Sequence, residues 1–96
     1  MASISVSCEG DADDGWTCNV TLREGGIDIS RHRVRVWAPD LARSAPGSTE
    51  PEDLVKASFA FLLVREAPEM ILRSFDLTDI ARYFPEYDSE FPVHTR

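Results

Sequence analysis

The first third of the chain alternates apolar and polar positions with a period of two. Ile4, Val6 and Cys8 are spaced by Ser3, Ser5 and Ser7, and Trp16, Cys18, Val20 and Leu22 by Thr17, Asn19 and Thr21, with Arg23 following. A period of two places each apolar set on one face of an extended strand. Between them, residues 9–15 read EGDADDG, a composition that favours turns. A hairpin centred on Asp13 sets Cys8 opposite Cys18, Val6 opposite Val20 and Ile4 opposite Leu22. One register thus brings every apolar partner to the same face, which is the arrangement that stabilises a strand pair.

Gly25-Gly26 marks the next turn and opens a third strand within residues 27–38. Its phase breaks. Ile27 and Ile29 have one parity, Val34 and Val36 the other. A bulge near Ser30 to Arg33, or a strand that starts only at about Arg31, restores a single apolar face. Pro39 ends the strand, and DLARSAPGS, residues 40–48, reads as an exposed connector.

The pattern then changes to helical spacing over residues 49–66, TEPEDLVKASFAFLLVRE. Thr49 with Glu52 has the spacing of a reciprocal cap, and Pro51 falls in the first turn, where its missing N–H costs nothing. Acidic residues crowd the start and Arg65 the end, matching the helix dipole. Two apolar stripes run side by side, one through Leu54, Ala57, Ser58, Phe61 and Leu62, the other through Val55, Phe59, Leu62 and Leu63. So wide an apolar surface calls for cover on two sides, from the chain itself or from a partner.

Beyond Pro68, residues 69–73 read as a short second helix. Asp76 or Thr78 can cap a third around residues 77–84, closed by Pro85. The expected fold is α+β: a three-stranded antiparallel meander against one main helix, followed by two short C-terminal helices. Residues 1–96 make one domain, with the β region at 3–38, the connector at 39–48, helices over 49–84 and a tail at 85–96.

Charge narrows the partners. The chain of 96 residues carries a net charge of −7. Duplex affinity rests on neutralising phosphates and anionic membranes attract cations, so nucleic acid and membrane surfaces are poor partners. The longest apolar run is far short of a span. MASISVSCEG lacks a basic stretch followed by an apolar block, so the expectation is a cytoplasmic protein whose two cysteines are thiols.

The segment Pro51 to Tyr87, with its PEDL helix start and closing RYFPEY (Arg82, Tyr83, Phe84, Pro85, Glu86, Tyr87), resembles the C-terminal half of a family of small uncharacterised bacterial proteins. The resemblance implies a bacterial, cytoplasmic source and brings no activity. The Pro51-Glu52-Asp53-Leu54 start also resembles the helix of OsmC-type peroxidases. That family needs a reactive cysteine in this helix, and Phe59 to Leu63 holds none.

Four features have candidate chemistry. Arg31, Arg33 and Arg35 share one face of the third strand with Trp37 at its end, a set suited to phosphate, carboxylate or unstacked bases. The ordinary explanation is an outward face whose arginines pair with neighbouring strands, and the acidic total favours it. Asp11, Asp13 and Asp14 before Gly15 only partly match a calcium loop, because the flanks are strands rather than helices. Cys8 and Cys18 would need His32 and His94 to complete a zinc site, and two small core thiols explain them more simply. Residues 77–84 faintly match the first helix of a helix-turn-helix, but the acidic segment after it would repel phosphates. No nucleophile has a base and an orienting carboxylate in view, so no catalytic residue, metal or cofactor is assigned. The sequence favours a non-enzymatic protein-interaction or self-associating module, with an anionic ligand or single-stranded nucleic acid on the arginine face as the alternative.

Overall fold

The computed structural model describes residues 3–11, 14–39 and 50–87. Strands β1 (Ser3–Asp11), β2 (Gly15–Glu24) and β3 (Ile27–Trp37) form the antiparallel meander. β1 and β2 pair in the expected register, with Ile4 opposite Leu22, Val6 opposite Val20 and Cys8 opposite Cys18. The two-residue turn between β2 and β3 has Gly25 at φ 61° and Gly26 at φ 79°, a pair of left-handed positions that glycine adopts without steric cost.

The phase break in β3 is a bulge, at Ile29 next to Ser30, near where it was expected. Leu22 pairs with Ser30 and Arg23 with Asp28, which leaves Ile29 as the extra residue. Beyond it, Ser30, His32, Val34 and Val36 all turn inward and are buried. Ile27 and Ile29 stay exposed.

The three-stranded sheet is extended by a strand that the sequence reading missed. β4 (Ser74–Asp76) lies parallel to β3, giving a mixed sheet of order β1-β2-β3-β4. Its ends are fixed by the Arg33 amide donating to the Arg73 carbonyl (2.7 Å) and the Leu77 amide donating to the Arg35 carbonyl (2.9 Å). Parallel neighbours need a long crossover, and the main helix, α1 (Pro51–Arg65), supplies it. Of the two short C-terminal helices expected, the first is a 3-10 turn (Pro68–Met70) rather than a helix over 69–73, and the second is present as α2 (Asp79–Tyr83), with β4 between them.

Two faces of α1 are covered, both by its own chain. Val55, Phe59 and Leu62 face the sheet, where Phe59 packs against His32 (centroids 5.3 Å) and Phe75 (6.0 Å). Leu54, Ser58 and Phe61 face the C-terminal segment, where Phe61 meets Tyr87 (5.3 Å) and Phe84 (6.1 Å) edge-on. Burying each large side chain contributes roughly 1.5–3 kcal/mol, so α1 anchors both halves of the fold. Arg65 closes its last turn, donating to the Phe61 carbonyl at 3.0 Å and lying 3.6 Å over the Phe61 ring. At the other end, Thr49 lies outside the described residues. Glu52 turns its Oε2 to the Cys8 amide (3.3 Å), tying the helix start to the edge strand.

Cys8 and Cys18 are bonded to each other, with Cα atoms 4.0 Å apart, which corrects the expectation of two thiols. That expectation came from the compartment. The register alone brings the two side chains together on one face, whatever the redox setting.

Candidate functional site

Alternation along β3 places Arg31, Arg33, Arg35 and Trp37 together on the outer face of the sheet, as expected. Their neighbours there are Thr21, Asn19 and Thr17 on β2, and Ser74 and Asp76 on β4. The three guanidinium groups nevertheless have different surroundings.

Arg31 leans toward the bulge. Its Nη2 donates to Asp28 Oδ2 at 3.1 Å, and Arg23 Nε donates to Asp28 Oδ1 at 2.6 Å. The hydrogen bond from Arg31, followed by that from Arg23, holds the Asp28 carboxyl below its ordinary value. Arg35 folds the other way. Its guanidinium lies 4.1 Å from the Trp37 ring centroid and close over Gly15, where an added Cβ would stand 2.9 Å from Nη2 and 2.4 Å from the Val36 carbonyl oxygen. Gly15 is therefore what lets the arginine lie flat across the strand. The Trp37 indole N–H donates to Asp76 Oδ2 (2.7 Å), and Asp76 Oδ1 accepts from the amide and hydroxyl of Thr78. Arg33 is exposed and, among the described residues, has no ion-pair partner.

The proposed anion face is thus an array in which two arginines are already engaged. Arg31 and Arg35 diverge from Arg33, and no common point of convergence forms. Of the candidate cation ligands, Asp13 and the side chain of Asp11 lie outside the described residues, as does His94. His32, the other candidate zinc ligand, is buried and bonded at both nitrogens. Its Nδ1 meets the Leu72 carbonyl (2.8 Å) and its Nε2 the Ser30 hydroxyl (2.9 Å). A carbonyl only accepts, so Nδ1 carries a proton and donates. His32 ties the segment before β4 to the sheet.

That segment forms one wall of a groove that sequence reasoning did not find. A cavity of about 170 Å³ opens between the end of α1, the 3-10 turn, β4 and α2. Leu62, Ile71, Phe75 and Ile80 are among the residues that line it. Met70, Leu72 and Tyr83 also line it, and they are 68%, 51% and 67% exposed. Three large apolar side chains in water around one hollow form a patch, which isolated exposed residues do not. Two carboxylates border it. Asp79 is occupied, accepting the Asp76 amide (3.2 Å) and lying 3.6 Å from Arg82, whereas Glu66 has no ion partner among the described residues. The only sequence signal was Met70-Ile71-Leu72, an apolar run too short to show which member stays exposed.

Among the described residues, no helix is long and apolar enough to cross a membrane. Compared with known proteins, the chain matches no family model, no curated sequence and no solved structure.

Proposed function

We propose that this chain is a non-enzymatic protein-interaction module, and that the groove between α1 and α2 is its contact surface. The observation that carries the reading is the grouping of exposed Met70, Leu72 and Tyr83 around one apolar hollow with the Glu66 carboxylate at its border. The fitting occupant is a segment of another protein that inserts one bulky apolar side chain and sets a lysine or arginine beside it. The apolar group gains by leaving water, and the cation answers both Glu66 and the net charge of −7. Selection of a displayed random peptide library tests this. Enriched peptides should pair a large apolar residue with a basic one, shift the NMR signals of Met70, Leu72 and Tyr83, and lose binding to L72D. Peptides that map to another surface, or no enrichment at all, would sink the reading.

The second reading is an anionic ligand at the arginine face, and exposed Arg33, on the same sheet face as Trp37, is what favours it. Titration with phosphate, a nucleotide and a short single-stranded oligonucleotide at low salt should then change tryptophan fluorescence, and R33Q should abolish the change. Silence from all three leaves the groove alone. Both readings keep the bacterial cytoplasm as the setting, with one condition: the Cys8–Cys18 pair would stand reduced there.

A further inference from the structure

A separate surface, the edge of β1 that no other described strand covers, has the chemistry of a self-pairing strand. The Cys8 amide donates to Glu52, so it points away from β2. Cys8 and Cys18 therefore form a non-hydrogen-bonded pair. Because β1 and β2 pair without a register shift, Ile4 and Val6 share that orientation. Their amides and carbonyls all face outward. Among the described residues, none of these four groups meets a partner on that side.

Exposed strand edges are usually blunted by charge, proline or brevity. The stretch Ser3-Ile4-Ser5-Val6-Ser7 has no charge and no proline. The opposite edge of the sheet, β4, is three residues long. It offers little for β1 of another copy to pair with, so head-to-tail growth through β1 and β4 is disfavoured. A two-fold pairing of β1 with itself avoids β4 altogether.

We infer that two copies of this chain pair antiparallel through β1, centred on Ser5, to form one continuous sheet. In that register Ile4 and Val6 of each copy exchange hydrogen bonds with Val6 and Ile4 of the other. Ser5 faces its own counterpart, and Ser3 faces Ser7. The half-buried Ile4 and Val6 also cover each other on the inner face. No like charges meet, and within the described strand, which starts at Ser3, the exchanged pairs end at Val6, so the Cys8 amide keeps its Glu52 acceptor. A register moved one step, centred on Val6, would instead bring Cys8 opposite Ile4 and ask its amide to leave Glu52. The groove takes no part in this contact.

Sedimentation velocity over a concentration series tests the inference. The wild type should pass from monomer to dimer as concentration rises. S5K and S5E should each remain monomeric at concentrations where the wild type dimerises, because the substituted charge faces its own copy across the two-fold axis. Both should keep the wild-type circular dichroism and thermal midpoint under conditions where all three are monomers. An equimolar mixture of S5K and S5E should dimerise again, which a folding defect could not produce. A wild type that stays monomeric at millimolar concentration overturns the inference, as does an S5K variant that dimerises like the wild type.

Discussion

The hydroxyl of Tyr87 lies 2.8 Å from that of Ser58, and both are buried between α1 and the C-terminal segment. Ser58 donates its own hydrogen to the Leu54 carbonyl at 2.8 Å, so Tyr87 is the donor in the pair. A serine in the interior of an otherwise apolar helix face thus has a defined partner 29 positions away. Replacing Tyr87 by Phe keeps the ring against Phe61 and deletes one hydrogen bond. The expected loss is about 0.5–1.5 kcal/mol, read as a lower denaturant midpoint with an unchanged slope. Tyr87→Ala also removes the packing and should cost about 3–5 kcal/mol, as for a buried aromatic.

His32→Leu should be more damaging than its shape suggests. The new side chain can fill the space beside Phe59. It cannot donate to the Leu72 carbonyl or pair with the buried Ser30 hydroxyl. Leaving buried polar groups without partners costs about 1–3 kcal/mol apiece. Thermal unfolding should show a loss on the order of 2–4 kcal/mol, and hydrogen exchange should quicken at the Arg33 amide, whose acceptor is the Arg73 carbonyl.

The Asp28 pairing predicts a pH effect with a definite sign. Its carboxyl is held below the ordinary value by Arg31 first and Arg23 second, so the folded state binds this proton less readily than the unfolded chain. The stabilisation is complete above the ordinary aspartate value of about 3.9 and is lost as the pH falls through the lower folded value. The gap in thermal midpoint between wild type and Asp28→Asn should be constant near neutrality and close in acid. Added salt should shrink it, since all three side chains are exposed to screening ions. A gap that widens in acid would contradict the pairing.

For the cysteines, the expectation is that protein purified without reductant takes up a thiol-alkylating reagent only after reduction. The Cys8→Ser, Cys18→Ser double variant should still fold. The bond closes a loop across 10 positions, and loops of that size contribute at most about 3 kcal/mol. The β1–β2 ladder already holds the two strands together, so the measured loss should be smaller. Free thiol in material kept under oxidising conditions would show that the pair does not close.

Those parts of the fold that depend on neighbours along the chain are legible in the residue pattern alone. The two-residue period of Ile4, Val6, Cys8 and of Trp16, Cys18, Val20, Leu22 set both the β1–β2 register and the faces of the strands. The same period put Arg31, Arg33, Arg35 and Trp37 on one side. Helical spacing located α1, and its width announced two covered faces. Gly25 and Gly26 marked their turn because few residues other than glycine tolerate positive φ.

The remaining features depend on contacts between separate elements of the chain. β4 is three residues long and pairs across a crossover, so its period is too short to read and its partner too distant to infer. The position of the bulge at Ile29 depended on Asp28 meeting Arg23 across the strands. The surroundings of Arg31 and Arg35 turned on contacts between strands: Arg31 shares Asp28 with Arg23 of β2, and Arg35 lies over Gly15 of β2 beside Trp37. Glu52 has the spacing of a local cap, yet its oxygen serves an amide 44 positions away. The groove exists because α1, the 3-10 turn, β4 and α2 leave a hollow where they meet, and a hollow is set by how elements pack, which no periodicity along the chain records.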